Sequence, residues 1–488
     1  MSNHPHADVK GRHAAAERVA VAEVLPNRTL TVLVLVISDL VALVSAGALA
    51  GCMAVSGVIP GGWPELLRNY YLIILVPLAY TLTGLYPAVG MSPIDEFRRL
   101  VVTTGAVFAA SVAGIAVVGA VLPSWVLVVA GALALGTVPV GRAIARELFA
   151  RRRWWGVPVV VLGAGRTADL VLERLQAYPR VGMRAIACLD DDVGKVGSSV
   201  QGVPVLGPLS KVREFQARGV RHVLVTMPGL EPHQLVPLLR RYGQGFPAMV
   251  VVPNLFGVAS VGVSTRDLGG VLGLFVRHNL LSRINRTVKA CLDAALLVPG
   301  LIGGLPVIAV SALAVMLVSP GNPFYAQERE GLGGRTFRVW KLRTMHHNAD
   351  VLLAEYLDAA PERRLEWERH FKLERDPRIL PVVGHALRKS SFDELPQIVN
   401  VLRGEMSFIG PRPFPRYHLD AFSDDFRELR ASVRPGITGL WQVSARSEGD
   451  LRVQEELDTF YIRNWSVWMD LYVLARTPVA VLMARGAR

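Results

Sequence analysis

The sequence predicts a membrane protein of three parts: a bundle of four membrane-spanning helices, a doubly wound α/β domain, and a C-terminal α/β domain that follows a broken apolar helix. Of its 488 residues, 51% are hydrophobic and 19% are charged, which is more apolar than an ordinary soluble protein. Apolar runs dominate the N-terminal third, a glycine turn with a β/α alternation follows, and charged motifs cluster toward the C-terminus. The boundaries that we predict are 1–28 for an N-terminal cytoplasmic tail, 29–150 for the bundle, 151–278 for the doubly wound domain and 279–488 for the remainder.

The net charge of +13 has two interpretations. It favours attraction to anionic lipid headgroups, or a site for an acidic substrate such as a phosphate. Nucleic acid is excluded as a partner because the sequence has no zinc-finger spacing, no RNP-like aromatic motif and no Lys/Arg-rich arm. Cys52, Cys188 and Cys291 are scattered. They fit neither a disulfide framework nor a metal site, which suits a reducing cytoplasmic setting.

Four segments approach the roughly 20 apolar residues that a helix needs to cross a bilayer. They are residues 30–58, 70–86, 100–122 and 125–145. Basic residues precede the first segment, lie between the second and third, and follow the fourth, so both ends of the bundle are expected to face the cytoplasm. The sequence thus predicts a multi-pass protein of the bacterial inner (plasma) membrane. Asp39 lies inside the first segment, either as a functional intramembrane acid or, as we favour, as a packed and hydrogen-bonded helix residue.

The segment "VPVVVLGAG" predicts a buried parallel strand that enters a glycine turn. Gly163, Gly165 and Ala168 form the pattern G-x-G-x-x-A, and Asp190 follows roughly twenty residues later, where a ribose-binding acid is usual. Together with the β/α alternation after it, the pattern predicts a Rossmann-like domain. The turn could bind a dinucleotide, or it could serve only to pack a strand closely against a helix. We favour the second interpretation, a structural or regulatory domain.

A fifth apolar segment, residues 289–318, contains "VPGLIGGLP" at its centre. Two prolines and three glycines disfavour one straight helix there, since proline removes a hydrogen bond and glycine loosens the backbone. The segment could be a kinked membrane span. It could also bend at the breakers and return, which would keep both flanks in the cytoplasm and would require the bend to pack on protein or water. On the residues alone, the two topologies are equally favoured.

The motif "SSFDELPQ" sets two carboxylates, Asp393 and Glu394, side by side. We interpret it as a helix start in which Ser390 or Ser391 caps the helix and the acids lie in the first turn. The helix dipole accounts for one acid but not for a pair that is surrounded by basic residues. These are Lys341, Arg343, Arg388, Lys389, Arg412 and Arg434.

Paired acids among cations suit phosphoryl transfer, because one carboxylate can attack phosphorus or hold Mg²⁺ while arginines neutralise the phosphate oxygens. The alternative is a surface salt-bridge network. Residues 350–375 predict an amphipathic helical insert that acts as a scaffold or membrane-surface element.

The motifs "KLRTM", "LRKSSFDELPQ", "GEMSFIGPRP" and "RPGITGLWQVSAR" resemble the catalytic domain of bacterial polyprenyl-phosphate hexose-1-phosphate transferases, the monotopic phosphoglycosyl transferases. The order of the domains resembles the long, WbaP-like subgroup, which is similar to undecaprenyl-phosphate galactose phosphotransferase. The resemblance implies a two-step reaction. UDP-hexose loses UMP to form an aspartyl–phosphosugar enzyme, and undecaprenyl phosphate then accepts the phosphosugar, which initiates exopolysaccharide, O-antigen or capsule synthesis.

The resemblance implies that Asp393 is the nucleophile and that Glu394 is its partner and the ligand of a Mg²⁺ cofactor. The residues that it places at the substrates are Lys341, Arg343, Arg388, Lys389, Gln397, Pro411, Arg412, Pro413 and Arg434. It also favours the re-entrant form of the fifth apolar segment, with the bend at Gly304, Leu305 and Pro306. Here Leu305 stands where the family has serine, so no hydroxyl can satisfy a freed carbonyl.

The expected partners are UDP-hexose, undecaprenyl phosphate, the lipid bilayer and a second copy of the chain in a homodimer. The donor hexose is galactose or glucose, and the insert is most similar to that of the galactose-1-phosphate members. Two other classes of function compete. A nucleotide-sugar-modifying oxidoreductase would use the Gly163 turn to bind NAD(P), and a non-catalytic polysaccharide assembly protein would not need Asp393.

Overall fold

A computed structural model describes residues 26–117, 125–243, 245–253, 263–267, 272–276, 280, 282–359, 376–415, 419–420, 422–444 and 451–482. The chain divides into two compact units, Met1–Phe256 and Gly257–Arg488. The predicted N-terminal tail lies outside the described residues up to position 25.

The first unit begins with a helical bundle. Its helices are α1 (Arg28–Val55), α2 (Trp63–Arg68), α3 (Leu72–Leu82), α4 (Pro93–Val117) and α5 (Trp125–Phe149). Helices α1, α4 and α5 are long and apolar enough to cross a membrane. Helices α1 and α5 are antiparallel, because Asn27 N donates to the Trp154 carbonyl (2.7 Å) while Thr137, farther inside the bundle, donates to the Ala42 carbonyl (3.2 Å). Helix α1 therefore begins, and α5 ends, at the same end of the bundle.

The second predicted span does not form as one helix. Helix α3 has 11 residues, about 16 Å of helix, against a hydrocarbon core of about 30 Å. The chain nevertheless returns along the bundle there, since Glu96 at the start of α4 pairs with Arg142 near the end of α5 (3.1 Å), so that α1 and α4 run in the same direction. The short helices α2 and α3 make this return in two pieces.

Asp39 is fully buried in α1. Arg142 donates to both of its carboxylate oxygens, at 2.9 Å from Nε and 2.7 Å from Nη2, and the Tyr86 hydroxyl donates to Oδ2 at 2.5 Å. A buried acid with these partners is a packed helix residue, so the favoured interpretation of Asp39 is confirmed.

The rest of the first unit is a six-stranded sheet with the strand order β3-β4-β2-β1-β5-β6. Its elements are β1 (Val157–Leu162), α6 (Arg166–Ala177), β2 (Met183–Leu189), β3 (Ser199–Val200), β4 (Val203–Gly207), α7 (Val212–Ala217), β5 (His222–Val225), α8 (Pro232–Gly243) and β6 (Ala248–Val251). All pairings are parallel except that of β3 with β4. Alternate residues of β1 point to opposite faces: Val159 packs on the side of α6, and Val160 packs on the side of α7. Helices therefore cover both faces, as a doubly wound fold requires.

The second unit combines short sheets and helices. Its elements are β7 (Val263–Asp267), β8 (Leu272–Val276), α9 (Arg283–Val318), β9 (Phe324–Glu330), β10 (Thr336–Leu342), α10 (Ala349–Asp358), α11 (Val383–Ser390), a 3₁₀ helix (Phe392–Gln397), α12 (Ile398–Leu402), β11 (Ser407–Ile409), α13 (Asp424–Ala431), β12 (Gly436–Thr438), α14 (Leu440–Ser444), α15 (Leu451–Asn464) and α16 (Val467–Leu482). The pairs β7–β8 and β9–β10 are antiparallel, and β11–β12 is parallel. Helix α10 forms the start of the predicted insert, and residues 360–375 lie outside the described residues.

Helix α9 continues through the predicted breakers. Its 36 residues form one helix with Pro299 and Pro306 inside it, so the sequence Gly304-Leu305-Pro306 does not end the helix. A proline removes one hydrogen bond and can kink a helix while the neighbouring bonds hold it together. A bend at this point remains a prediction.

Candidate active site

The acidic pair lies on the 3₁₀ helix between α11 and α12, in its first turn as predicted. The predicted serine cap is wrong. Ser391 lies in the left-handed region (φ 59°) and makes no side-chain cap, and the Ser390 hydroxyl donates backward to the Ala386 carbonyl (2.8 Å). Serine favours local backbone bonds of this kind, so Ser390 closes α11, and its oxygen makes only a long contact, 3.4 Å, with Phe392 N at the start of the next helix.

Glu394 is held by two cations. Lys341 Nζ and Arg412 Nη2 both donate to its Oε1 atom, at 2.7 and 2.8 Å, and its side chain is 15% exposed. Although burial alone would raise the pKa of Glu394, the positive charges of Arg412 and Lys341 lower it to about 2. Glu394 is therefore ionised at every physiological pH.

Asp393 has the opposite surroundings. No hydrogen bond or ion pair joins its carboxylate to any residue in the described part of the chain. Burial, and then the negative charge of Glu394, raise the pKa of Asp393 to about 6, although nearby cations oppose the rise. Asp393 is thus an unshared carboxylate that is mostly ionised at neutral pH.

Arg388 supplies the third cation near the pair. It lies in the last turn of α11, and its Nε atom donates to the Thr344 hydroxyl (3.0 Å). Burial lowers the pKa of Arg388, while the negative charge of Asp393 opposes that shift. Its guanidinium is oriented by Thr344 and is electrostatically coupled to Asp393.

The other predicted substrate residues are not joined to the pair. Arg343 is 8% exposed and donates to the Ser319 carbonyl at the end of α9. Lys389 and Arg434 are exposed, and in the part of the chain that the structure describes neither contacts Asp393 or Glu394 through an ion pair. Gln397 is buried at 3% exposure.

Pro411 and Pro413 shape the loop that carries Arg412. Both are buried, and the Pro411 carbonyl accepts from Gly436 N (2.9 Å). The loop is thereby tied to the first residue of β12. The prolines position Arg412, and the geometry gives them no direct role at the acids.

Two residues that support the site were missed by the sequence analysis. Thr344 orients Arg388, as described above. Asn400 is fully buried and binds the backbone of β10, donating to the Arg338 carbonyl (2.7 Å) and accepting from Trp340 N (3.2 Å). It fixes the strand that carries Lys341 against α12. A single polar residue inside the apolar run "IVNVL" was the available signal.

The side chains at the site could bind Mg²⁺ only if substrate phosphates supplied further oxygen ligands. No group of three or more His, Cys, Asp or Glu side chains that could hold a metal occurs among the described residues. Mg²⁺, however, is commonly bound by one or two carboxylates, several waters and substrate phosphates. Asp393 and Glu394 supply oxygen donors of that kind, so the residues present fit a shared site.

The glycine turn of the first unit is hydrogen-bonded to Asp190 of the same domain. Asp190 Oδ2 accepts from Ala164 N (2.7 Å) in the turn and from Lys195 Nζ (3.0 Å). Although burial opposes the shift, these donors lower the pKa of Asp190. Gly163 has a φ of +98°, and a Cβ there would meet Thr226 and Met227. Gly163 therefore allows the turn to pack closely on Thr226 and Met227, and Asp190 closes the turn. Gly165, at the start of α6, has open space beside it.

Comparisons with known proteins follow this division of the chain. Residues 284–484 match the family described as bacterial sugar transferase, and residues 81–245 match the family described as CoA-binding domain. The chain is 32% identical over 374 residues to the UDP-galactose-lipid carrier transferase of Erwinia amylovora, which covers 75% of this chain and 76% of that protein.

Two further relatives are informative. The UDP-glucose:undecaprenyl-phosphate glucose-1-phosphate transferase of Xanthomonas campestris pv. campestris is 32% identical over 367 residues, 71% of each chain. The exopolysaccharide production protein ExoY of Sinorhizobium fredii is 41% identical over 193 residues, which is 38% of this chain but 84% of that protein. Similarity to ExoY thus spans a length close to that of the 284–484 segment.

Proposed function

Because this chain belongs to the bacterial sugar transferase family, we propose that it transfers a hexose-1-phosphate from a UDP-hexose to undecaprenyl phosphate and thereby initiates a surface polysaccharide. The observation that carries the proposal is the arrangement of the acidic pair. Glu394 binds Lys341 and Arg412, and Asp393 beside it is unshared among the described residues. A free carboxylate among cations is suited to attack on phosphorus.

In the first step, an Asp393 oxygen attacks the phosphorus that bears the hexose. The bond from that phosphorus to the bridging oxygen breaks, and UMP leaves with the bonding electrons. The product is an aspartyl–phosphohexose, an acyl phosphate. The pKa of about 6 for Asp393 keeps the attacking group largely ionised at pH 7 while leaving it more basic than an ordinary aspartate.

In the second step, a phosphate oxygen of undecaprenyl phosphate attacks the same phosphorus. The bond from phosphorus to the Asp393 oxygen breaks, which restores the carboxylate and gives undecaprenyl diphosphate hexose. The atoms balance without an oxidant or a proton source. The same residue acts in both steps, so donor and acceptor need not be bound together.

The cations bind and orient the phosphates. Arg412 can bridge Glu394 and a phosphate because a guanidinium has five donors in a planar fork, and Arg388 is held beside Asp393 through Thr344. When bound, Mg²⁺ would be held by Glu394 together with the donor phosphates, and it would neutralise negative charge on the leaving UMP.

Helix α9 supports a position at one membrane surface. Near its middle, Gly300 approaches Ile398 and Phe408, and near its end Val315 packs with Leu342 and Leu387. These two contacts are about 22 Å apart along a helix, less than the 30 Å or so of a hydrocarbon core. Both contacts are with the same unit, so the helix would enter and leave the bilayer on one side.

Apolar side chains between and beside those contacts point outward. Val298, Ile302 and Leu305 are 61%, 72% and 54% exposed, a surface that lipid would cover. We place the catalytic unit on the cytoplasmic face of the inner membrane, where UDP-sugars are available. A homodimer remains part of the proposal.

The topology is testable with single cysteines. Cys52 and Cys291 are exposed, so both, with Cys188, are first replaced by serine. Thr287→Cys and Asn322→Cys are then added one at a time, because both sites are exposed and lie on either side of the apolar segment 289–318. We expect an impermeant thiol reagent to label neither in spheroplasts and both in opened membranes. External labelling at position 322 alone would mean that α9 spans the membrane.

The donor is best sought among the sugars in the relatives' names, UDP-galactose and UDP-glucose. Purified full-length protein is incubated with radiolabelled UDP-hexoses and undecaprenyl phosphate, with EDTA and with Mg²⁺ restored. We expect UMP and a labelled lipid from one of these donors, lost in EDTA and recovered with Mg²⁺. Bound NAD(P) without UMP release from any donor would favour the oxidoreductase instead.

A further inference from the structure

A buried ion pair lies behind the loop that carries Arg412. Arg430, at the end of α13, is 8% exposed, and Asp458, in α15, is 3% exposed. Arg430 Nη1 donates to Asp458 Oδ2 at 2.9 Å, and its Nη2 donates to the backbone carbonyl of Arg412. The guanidinium also lies over the ring of Phe414, 4.3 Å from its centroid. One planar cation is thus fixed on three sides.

This contact reaches the acids through one residue. Arg430 donates to the backbone carbonyl of Arg412, and the guanidinium of Arg412 donates to Glu394 at 2.8 Å. A shift of the Arg412 backbone would leave a buried guanidinium donor without its acceptor, which is costly in a low-dielectric interior. The backbone position from which the Arg412 side chain extends is therefore fixed.

The other end of the loop is held by the same helix. Tyr461, three residues after Asp458 in α15, donates to the Ile409 carbonyl at 3.0 Å. Residues three apart share a helix face, so one face of α15 holds the Ile409 carbonyl through Tyr461 and holds, through Asp458, the arginine that binds the Arg412 carbonyl. Asp470 of α16 lies behind this contact: it binds Lys289 of α9 (2.8 Å), and its Oδ1 atom is a second acceptor for the one hydroxyl proton of Tyr461 (2.7 Å).

We propose that Arg430 and Asp458 are positioning residues for the transfer reaction, which hold the Arg412 backbone so that its guanidinium meets Glu394 and the substrate phosphate. This inference rests on the proposed function. Stability is a weaker explanation for the pair. Burial raises the pKa of Asp458 to about 6 even though Arg430 opposes the rise, so the attraction does not fully offset the cost of burying the carboxylate. Apolar residues of similar volume often replace buried pairs without loss of stability.

The test separates position from stability. Asp458→Leu alone should lower the melting temperature, because it leaves Arg430 charged and buried without its partner. The double variant Arg430→Met/Asp458→Leu removes both charges and should regain the wild-type melting temperature. We expect its kcat for UMP release to stay at least about tenfold below wild type, since small displacements at a reacting centre cost that much or more, with a smaller change in KM. Arg452→Met is the matched control. Arg452 lies on α15, the helix of Asp458, its side chain is 81% exposed, and its ion pair with Glu456 is long, at 3.6 Å.

A folded double variant with kcat within twofold of wild type would overturn the proposal. If the double variant does not regain the wild-type melting temperature, Arg430→Lys decides. Its single ammonium keeps the charge beside Asp458 but cannot present the two edges of a guanidinium. We expect folded Arg430→Lys to show a reduced kcat, and a kcat equal to wild type would overturn the proposal. Failure of UMP release in the wild-type protein would instead overturn the proposed function.

A double-mutant cycle measures a coupling between Arg430 and Arg412 in kcat, which a purely structural role of Arg430 would not produce. In an Arg412→Ala background, the Arg430→Lys change should no longer lower kcat, because the group being positioned is gone. Equal fold losses in both backgrounds would show that the pair does not act through Arg412, and the proposal would be wrong.

Discussion

Asp190 and Asp393 are acidic residues in two candidate sites of one chain, and their carboxylates have opposite surroundings. Asp190 accepts from the backbone of Ala164 and from Lys195, and its pKa is lowered. Asp393 has no hydrogen-bond partner among the described residues, and its pKa is raised to about 6. The first carboxylate is fully used in holding its own loop, whereas the second is available to a substrate.

The difference arises from a neighbour. In the C-terminal unit Glu394 takes the donors of Lys341 and Arg412, which leaves Asp393 near positive charge but not bonded to it. In the doubly wound domain Lys195 stays on Asp190, at 3.0 Å, because a second acid, Asp192, lies farther from it, at 3.7 Å. A pair of acids therefore provides what a single acid in a glycine turn does not, a nucleophile with its charge partly balanced and its oxygens free.

The largest expected effect follows from removing the free carboxylate. Asp393→Asn keeps the shape of the side chain and removes its nucleophilic oxygen, so UMP release should fall at least about 10³-fold. The measurement is UMP release by purified protein, with melting temperature and membrane yield as the folding check. Turnover near the wild-type rate would rule out Asp393 as the nucleophile.

Glu394→Gln should have a smaller effect with a distinctive pH dependence. It weakens the hold on Lys341 and Arg412, and we expect about a 10²-fold loss in kcat. It also removes the negative charge that helps to raise the pKa of Asp393. In the wild type, activity should fall as the pH drops through about 6, because a protonated Asp393 cannot attack phosphorus.

In the Glu394→Gln variant this acid limb should move to lower pH, since the carboxylate of Asp393 no longer faces a like charge. The pH–rate profiles of the two proteins give the comparison. An acid limb at the same pH in both would show that Asp393 does not sense Glu394.

The smallest effect on activity is expected at the other acid. Asp190→Asn should change UMP release by less than about twofold, while the thermal stability of the first unit falls because the ion pair with Lys195 is lost. The folded pKa of Asp190 lies below its unfolded value, so this stabilisation is present at neutral pH and is lost as the pH falls through the folded pKa. A loss of activity comparable to that of Asp393→Asn would assign chemistry to the glycine turn.

Local sequence patterns predicted the acids and six basic residues around them, but not which of the six lie beside the acids. Lys341 lies on β10, whereas the strand ends at Leu342, so the alternation that would place Arg343 on the same face stops one residue too early. Arg388 and Lys389 are neighbours on a helix and therefore point about 100° apart, which puts one beside Asp393 and the other in solvent.

The residues that support the site could not be predicted from local sequence patterns. Arg430 and Asp458 lie 28 residues apart, and nothing in either motif signals the other. The fold class depended on composition and periodicity and was predicted in its main parts. The serine cap was wrong because a 3₁₀ turn depends on tertiary packing, which overrides local propensity.

The central claim, that Asp393 carries the phosphohexose, is tested most directly without the acceptor. Purified wild-type protein is mixed with the active UDP-hexose in the absence of undecaprenyl phosphate, quenched rapidly, and analysed for UMP and for the mass of the peptide that contains Asp393. We predict about one UMP per protein molecule and a hexose-phosphate adduct on that peptide, which undecaprenyl phosphate then removes. UMP release only after the acceptor is added, with the peptide unmodified throughout, would contradict the covalent mechanism.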